Sequence, residues 1–273
     1  MWPSQKPETQ KGTTLTYLPN HGRISCTSCF KGCSQVEFDR ATRTEGDWRI
    51  TANPLAWGSK VPEVIVLGFS KGPTQAGALA NTPHDKIAYK GSRGNVGKIL
   101  QHVGLLHCQA GLDLGQTVGR LIADQNGRFH FGSLIRCTVE RNAGGHWKGS
   151  GGGMLDKFVA TAFGKEISTN CTTRFLANLP AKTKLIVMFG MGTKLNYVRQ
   201  SFDLYKKARG GEWKWINDVA YTDRKVTVVH VEHFASQGNL IPRWLGEQDH
   251  DRARWGEMAA AAVAVAGVLT KPE

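Results

Sequence analysis

The sequence predicts an α/β fold, a three-layer α/β/α sandwich on a central four-stranded parallel sheet. Three observations predict it. Four short apolar runs each lead into Gly-rich and polar residues, as buried parallel strands do when they feed binding loops. Segments with apolar residues at helical spacing lie between and after these runs. Strand and helix therefore alternate, which is the pattern of a parallel sheet covered by helices in one domain spanning residues 1–273.

The elements follow in order. Residues 1–20 are polar, contain proline and read as a flexible arm. "VPEVIVLGFSKGPTQAG" (61–77) holds the first strand, from Val64 to Leu67 and closing on Gly68. "GNVGKILQHVGLL" (94–106) places Val96, Ile99, Leu100 and Val103 on one helical face. "RFHFGSLIRCTVE" (128–140) reads as the second strand, and the Gly-rich "RNAGGHWKGSGGGM" (141–154) as a mobile loop. "NCTTRFLANL" (170–179) is a helix with Phe175, Leu176 and Leu179 on one face. It runs into the third strand, "AKTKLIVMFGMG" (181–192). "KVTVVHVEHFASQGN" (225–239) is the fourth strand, and residues 251–268 are the closing helix. In such sheets ligands bind beyond the carboxyl ends of the strands. Those ends here are "GFSKGPTQ", "CTVERN", "GMGTK" and "HFASQGN".

Charge narrows the partners. The chain carries 35 Lys and Arg against 22 Asp and Glu, a formal net charge of +13. Such a field attracts polyanions; the bland alternative is a solvated basic surface. The basic residues are dispersed in groups such as "YKKARGGEWKW" and "RWLGEQDHDRARW". That suits a folded nucleic-acid surface better than a basic tail. "MWPSQKPETQKGTTL" lacks the apolar stretch of a secretory signal, and the small-apolar run "AAAAVAVAGVL" (259–269) is too short to span a bilayer. A cytoplasmic, monomeric protein with no membrane partner is expected. In a reducing compartment its six cysteines bind metal or stay free rather than pair. "RISCTSCFKGCSQ" places Cys26 and Cys29 at C-x2-C spacing, with Cys33 four residues on.

These segments, in this order, resemble the uracil-DNA glycosylase superfamily, nearest its iron–sulfur branches (families 4 and 5), over roughly residues 22–245. The quoted motifs are the N-terminal C-x2-C, "VIVLGFSKGP", "YKGSRGNVGKIL", "SLIRCTVERN", the cysteine of "NCTTRFLANLPAKTKLIVMFGMG", and "HFASQGN". The resemblance implies DNA, single- or double-stranded, as partner. It also implies a [4Fe–4S] cluster on Cys26, Cys29, Cys137 and Cys171, the usual thiolate ligation of such clusters. Zn at the same thiols, or unliganded structural cysteines, are the alternatives. Cys33 is unassigned, and Cys108 reads as a free thiol.

The resemblance also distributes roles. Base excision needs a pocket for a flipped nucleotide and a donor for the departing base. His233 matches the first residue of the family's His-Pro-Ser motif and would donate to a base oxygen; Phe234 stands in place of the proline. The first loop offers no acid, so Asn95 or Gln75 could hold a water, and Ser70 joins His233 and Asn95 as a catalytic candidate. Tyr89 would stack on the base. Ser133 stands where relatives carry Asn; it cannot form the same pair of bonds, so base specificity should be relaxed. Gly68, Phe69 and Gln75 complete the base site. Lys71, Ser92, Arg93, Ser236, Gln237, Asn239 and Arg243 would contact DNA, and Arg243–Gly246 and the 141–154 loop are candidates for the wedge that replaces the base. The expected activity is excision of uracil and other deaminated bases by N-glycosidic hydrolysis. The competing readings are a non-catalytic binder of damaged DNA or abasic sites, and an unrelated Zn or iron–sulfur nucleic-acid protein.

Overall fold

The run Val64–Gly68 has all five residues buried, so both faces of this strand are covered. In the computed structural model, which describes residues 16–30, 36–107, 111–149 and 154–270, it is the fifth strand, β5. Before it come β1 (Gly22–Arg23), β2 (Thr42–Glu45), β3 (Trp48–Thr51) and β4 (Leu55–Gly58). After it come β6 (Phe129–Ser133), β7 (Thr138–Ala143), β8 (His146–Gly149) and β9 (Leu185–Phe189). Last are β10 (Lys214–Asn217), β11 (Ala220–Thr222) and β12 (Thr227–Val231).

The protein is mixed α/β, with a mixed sheet of eight strands and a second sheet of four. The large sheet runs β1-β4-β6-β5-β9-β12-β11-β10. Within it β5 pairs in parallel with β6 and β9, and β9 with β12. The outer pairs are antiparallel. The sheet is thus larger than the four strands expected, because short strands of two to four residues extend it at both edges.

Helices α1 (Pro73–Gly77), α2 (His84–Ile87), α3 (Arg93–His102) and α4 (Leu114–Ala123) lie between β5 and β6 in the chain. α5 (Met154–Ala160) and α6 (Ala162–Leu176) precede β9, and α7 (Asn196–Arg209) follows it. α8 (Leu240–Trp244) and α9 (Ala253–Val265) come after β12. α4 starts with a full capping box: Asp113 accepts from the Gln116 N–H, and Gln116 accepts from the Asp113 N–H. Among the described residues no helix is long and apolar enough to cross a membrane.

Two expectations are corrected. The single strand expected over 128–140 is two: β6 ends at Ser133, the chain bends, and β7 joins the second sheet, β2-β3-β7-β8. The loop expected over 141–154 is largely a hairpin, β7 to β8. Its turn residues Gly144 and Gly145 have φ of 63° and 82°, the left-handed pair that a tight two-residue hairpin requires; residues 150–153 lie outside the described residues. Of the arm expected over 1–20, residues 1–15 lie outside the described residues, and residues 16–20 lie against the fold. Leu18 is buried and donates its N–H to the Lys60 carbonyl at 2.9 Å, while the Lys60 amine lies over the Tyr17 ring.

Two histidines are fully buried in the large sheet. His130 meets the Ser59 carbonyl through Nδ1, and His230 meets the Gly190 carbonyl through Nδ1. Burial pushes His130 down to about 3 and His230 down to about 4, against an ordinary 6.5. Both are neutral when folded. The unfolded chain takes up protons first, so the stability they hold is present above about pH 6.5 and is lost as pH falls toward these lowered values. Between pH 6.5 and 4, His230 alone should remove on the order of 3 kcal/mol. We predict that His230→Gln flattens the acid limb of the melting temperature against pH. An unchanged slope would exclude His230 as its cause.

Candidate active site and cysteine centre

The parallel pairing aligns the strand ends. Gly68 of β5 stands opposite Ser133 of β6, and Val231 of β12 opposite Phe189 of β9. Beyond these ends lie the expected site loops. A side chain at Gly68, Gly72, Gly91 or Gly94 would meet no atom within 4 Å, so the backbone there borders open space.

Tyr89 sits between α2 and α3 with φ of 53°, a left-handed conformation that a bulky residue adopts only under constraint. The constraint is visible. Arg93 donates to the Ala88 carbonyl at 3.0 Å and also to the Asp85 carbonyl, while the Ser92 N–H donates to the Tyr89 carbonyl. Upstream, His84 stacks on Trp57 of β4 at 4.9 Å and pins α2 to the sheet. The buried Tyr89 ring meets Phe131, Phe189 and Phe234 edge to face, at 6.1, 5.7 and 4.9 Å. Its hydroxyl has no partner among the described residues, and burial raises its pKa. Side chains alternate along a strand, so Ser133 lies on the same face of β6 as Phe131.

His233 follows β12. Its ring stacks on Phe234 at 4.4 Å. Its Nδ1 accepts from the Ala235 N–H at 3.1 Å, which leaves Nε2 as the protonated, donating nitrogen of the neutral ring. Burial lowers its pKa, with the Glu232 charge opposing. Gly190 adjoins it: with φ of 104°, this glycine would carry a Cβ 3.8 Å from the imidazole. Asn95 of α3 donates to the Phe234 carbonyl at 3.0 Å, tying the helix to the same loop. Tyr89, Phe234, His233 and Asn95 are therefore contiguous.

The sequence reading missed the group that shapes this loop. Glu232 is 3% exposed, and its carboxylate accepts from the His233 N–H at 2.9 Å, Ser236 Oγ at 2.7 Å and Arg252 Nε at 2.6 Å. Its signal was an acid directly after an all-buried run, in "VVHVEHF". An ion pair this buried is broken at a cost of about 3–5 kcal/mol when one partner is removed. We predict that Glu232→Ala loses stability of that order in urea denaturation and Glu232→Gln loses less. Wild-type stability in Glu232→Ala would rule the anchor out.

The remaining site residues are placed as follows. Ser70 and Gln75 are half-buried, in the loop after β5 and in α1. Phe69 is buried against Phe158 and Tyr197 rather than presented to a base. Ser92 begins α3, and the Arg93 guanidinium is spent on the turn around Tyr89. Ser236 is held by Glu232, Gln237 and Asn239 are exposed, and Arg243 approaches Gln248 at 3.4 Å. Lys71 is corrected: it is 2% exposed and donates to the Arg136 carbonyl, so it faces inward and not toward a phosphate. Trp244 is also fully buried, which removes it as a wedge. Two surface pockets, of about 690 and 390 Å³, lie elsewhere: one runs past Lys184 and Thr227 at the start of β9 and β12, the other beside Trp215.

The four expected cysteine ligands lie on three segments: Cys26 and Cys29 before β2, Cys137 between β6 and β7, and Cys171 in α6. All are free thiols, and Cys29, Cys137 and Cys171 are buried. The Cys26–Cys29 loop is fastened to α6, which carries Cys171: Arg174 reaches Ser28, and Asn170 reaches the Cys29 sulfur at 3.6 Å. Arg43 bridges the Cys29 carbonyl and Glu166. Interaction with the Cys171 thiol holds Cys29 below its usual thiol range, and the same interaction together with burial raises Cys171. Burial pushes Cys137 up to about 11, and Cys29 and Cys26 act on it in the same direction. By their chemistry alone, four thiols are the donor set of a tetrathiolate centre. Among the described residues no group of three or more His, Cys, Asp or Glu side chains is arranged to hold a metal ion. Cys33 and Cys108 lie outside the described residues.

No model of a known protein family matches the chain, and no curated protein matches it significantly.

Proposed function

We propose that the protein is a DNA glycosylase of the uracil-DNA glycosylase type, which flips uracil and other deaminated bases out of DNA and hydrolyses the N-glycosidic bond. One observation carries the reading: a neutral imidazole, His233, with Nδ1 occupied and Nε2 free to donate, contiguous through Phe234 with Tyr89 at the aligned strand ends. The +13 charge supports a polyanionic partner. On this reading the four parallel strands form the core of a three-layer sandwich.

The chemistry follows from the residues. Tyr89 stacks on the extruded base. As the glycosidic bond breaks, its electron pair stays on the base, and the His233 Nε2–H donates to the base oxygen where that charge gathers. Glu232 and Asn95 fix the backbone that aims the ring. The first loop holds no acid, so cationic character at the sugar is met by the DNA phosphates and by water held near Asn95 or Ser70. Gln237, Asn239 and Arg243 contact the strand. Ser133 offers one hydroxyl to the base edge, which fits relaxed specificity. Cys26, Cys29, Cys137 and Cys171 would hold a [4Fe–4S] cluster or, alternatively, Zn; when bound it serves as a structural tie between the N-terminal segment, the β6–β7 bend and α6.

A second reading, binding of damaged or abasic DNA without excision, is favoured by Phe234, whose ring already contacts Tyr89 where a base would enter. Oligonucleotides carrying uracil, hypoxanthine or xanthine, treated with alkali after incubation, separate the two. We predict strand cleavage at uracil, with His233→Ala slowed about 10²–10³-fold and its DNA affinity little changed. Binding without cleavage on every substrate would select the second reading. Full activity in His233→Ala would remove the site assignment.

A further inference from the structure

Beneath the strand ends lie two cations that the proposed chemistry does not use. Lys71 and Arg136 are each 2% exposed, and among the described residues neither forms an ion pair with a carboxylate. Lys71 donates to the Arg136 carbonyl. The Arg136 guanidinium approaches the Leu55 carbonyl at 3.4 Å and His130 Nε2 at 3.3 Å, and its charge lies over the Phe175 ring. It rests against Gly132, where any side chain would collide with it, so the strand is shaped to receive it. All these partners are neutral. Asp39 also attracts Lys71, but it is exposed and accepts from Asn53. Arg136 directly precedes Cys137, and Lys71 is hydrogen-bonded to the Arg136 carbonyl, so both cations lie beside a thiol. Cys137 and Cys171 favour the charged form of Lys71, and Cys171 acts likewise on Arg136, together with the Tyr205 and Tyr89 hydroxyls.

Two buried cations without an anion are a costly arrangement that proteins seldom keep unless a negative group arrives. We propose that Lys71 and Arg136 are the internal countercharges of a tetrathiolate metal centre on Cys26, Cys29, Cys137 and Cys171. The inference rests on the metal-centre part of the reading above. On loading, four thiol protons leave to solvent. Four thiolates around a doubly positive core, either an oxidised [4Fe–4S] cubane or a zinc ion, leave two negative charges. Two fixed cations cancel them. The pair is then built for the loaded centre and strained without it.

That sign difference is the test. Full-length protein, purified without oxygen, is assayed for iron, sulfide and zinc and for visible absorption, which identifies the metal. Wild type is compared with Lys71→Met, Lys71→Gln and Lys71→Arg for metal content, for release of metal to a chelator and for melting temperature, both loaded and stripped. The neutral variants should release metal about tenfold faster or more, and Lys71→Arg should hold it like wild type. Loaded Lys71→Met should melt below loaded wild type, and stripped Lys71→Met above stripped wild type. Equal loading and equal release would overturn the proposal. So would a shift of the same sign in both states, because a packing role predicts that. If wild type with all four cysteines intact takes up neither iron nor zinc, the metal-centre reading itself fails and the countercharge role falls with it.

Discussion

The parallel register of β6, β5, β9 and β12 is the constraint on which the rest depends. It brings four chain segments, distant in sequence, to one edge of the sheet. Gly68 meets Ser133, Phe189 meets Val231, and the Gly190 N–H continues the ladder to the Val231 carbonyl. A slip of one residue would turn Ser133 to the other face and separate Phe131 from Tyr89. The aromatic cluster of Tyr89, Phe131, Phe189 and Phe234 draws on three of these segments and on the α2–α3 turn, so it reports the register directly.

Strand β6 divides two environments. One face presents Phe131 and Ser133 toward Tyr89. The other presents His130 and Gly132 toward Arg136, and beyond it the buried thiols. The bend after β6 leads through Arg136 and Cys137 into the second sheet. That sheet also adjoins the loop after β5, since a Cβ at Gly149 would stand 2.9 Å from the Pro73 ring. Within that sheet the Arg49–Glu140 pair and the stacking of Arg49 on Trp147 tie β3 to β7 and β8. A base site on one face and a metal centre on the other would share one strand as their wall.

Much of this was legible in the residues. The four all-buried strands announced themselves as continuous apolar runs, and the strand ends as Gly-rich and polar stretches. Helix α9 lay within the expected 251–268 and α3 almost wholly within 94–106, whereas α6 (Ala162–Leu176) begins eight residues before the expected 170–179. The outer strands were not legible, because β2 and β10 are short and largely exposed, β11 has only three residues, and the turns "EGD" and "ND" resemble ordinary loops. The "GG" hairpin was hidden in a Gly-rich stretch that composition alone reads as mobile. In the site, His233 and Tyr89 were reachable from motif order. Glu232 and Arg252 were not, because their pairing spans twenty positions and depends on α9 returning to β12. The inward turn of Lys71 was likewise hidden: sequence shows a lysine after a strand, and only the fold shows that the amine lies under it.

The central claim is that the strand ends accept an extruded nucleobase beside His233. The most direct measurement is the fluorescence of 2-aminopurine placed next to a single uracil in a DNA duplex, titrated with the protein. Unstacking the uracil frees its fluorescent neighbour, so the account predicts a rise that saturates with binding and is absent from the matched duplex without uracil. Binding to both duplexes with no difference in fluorescence would contradict it.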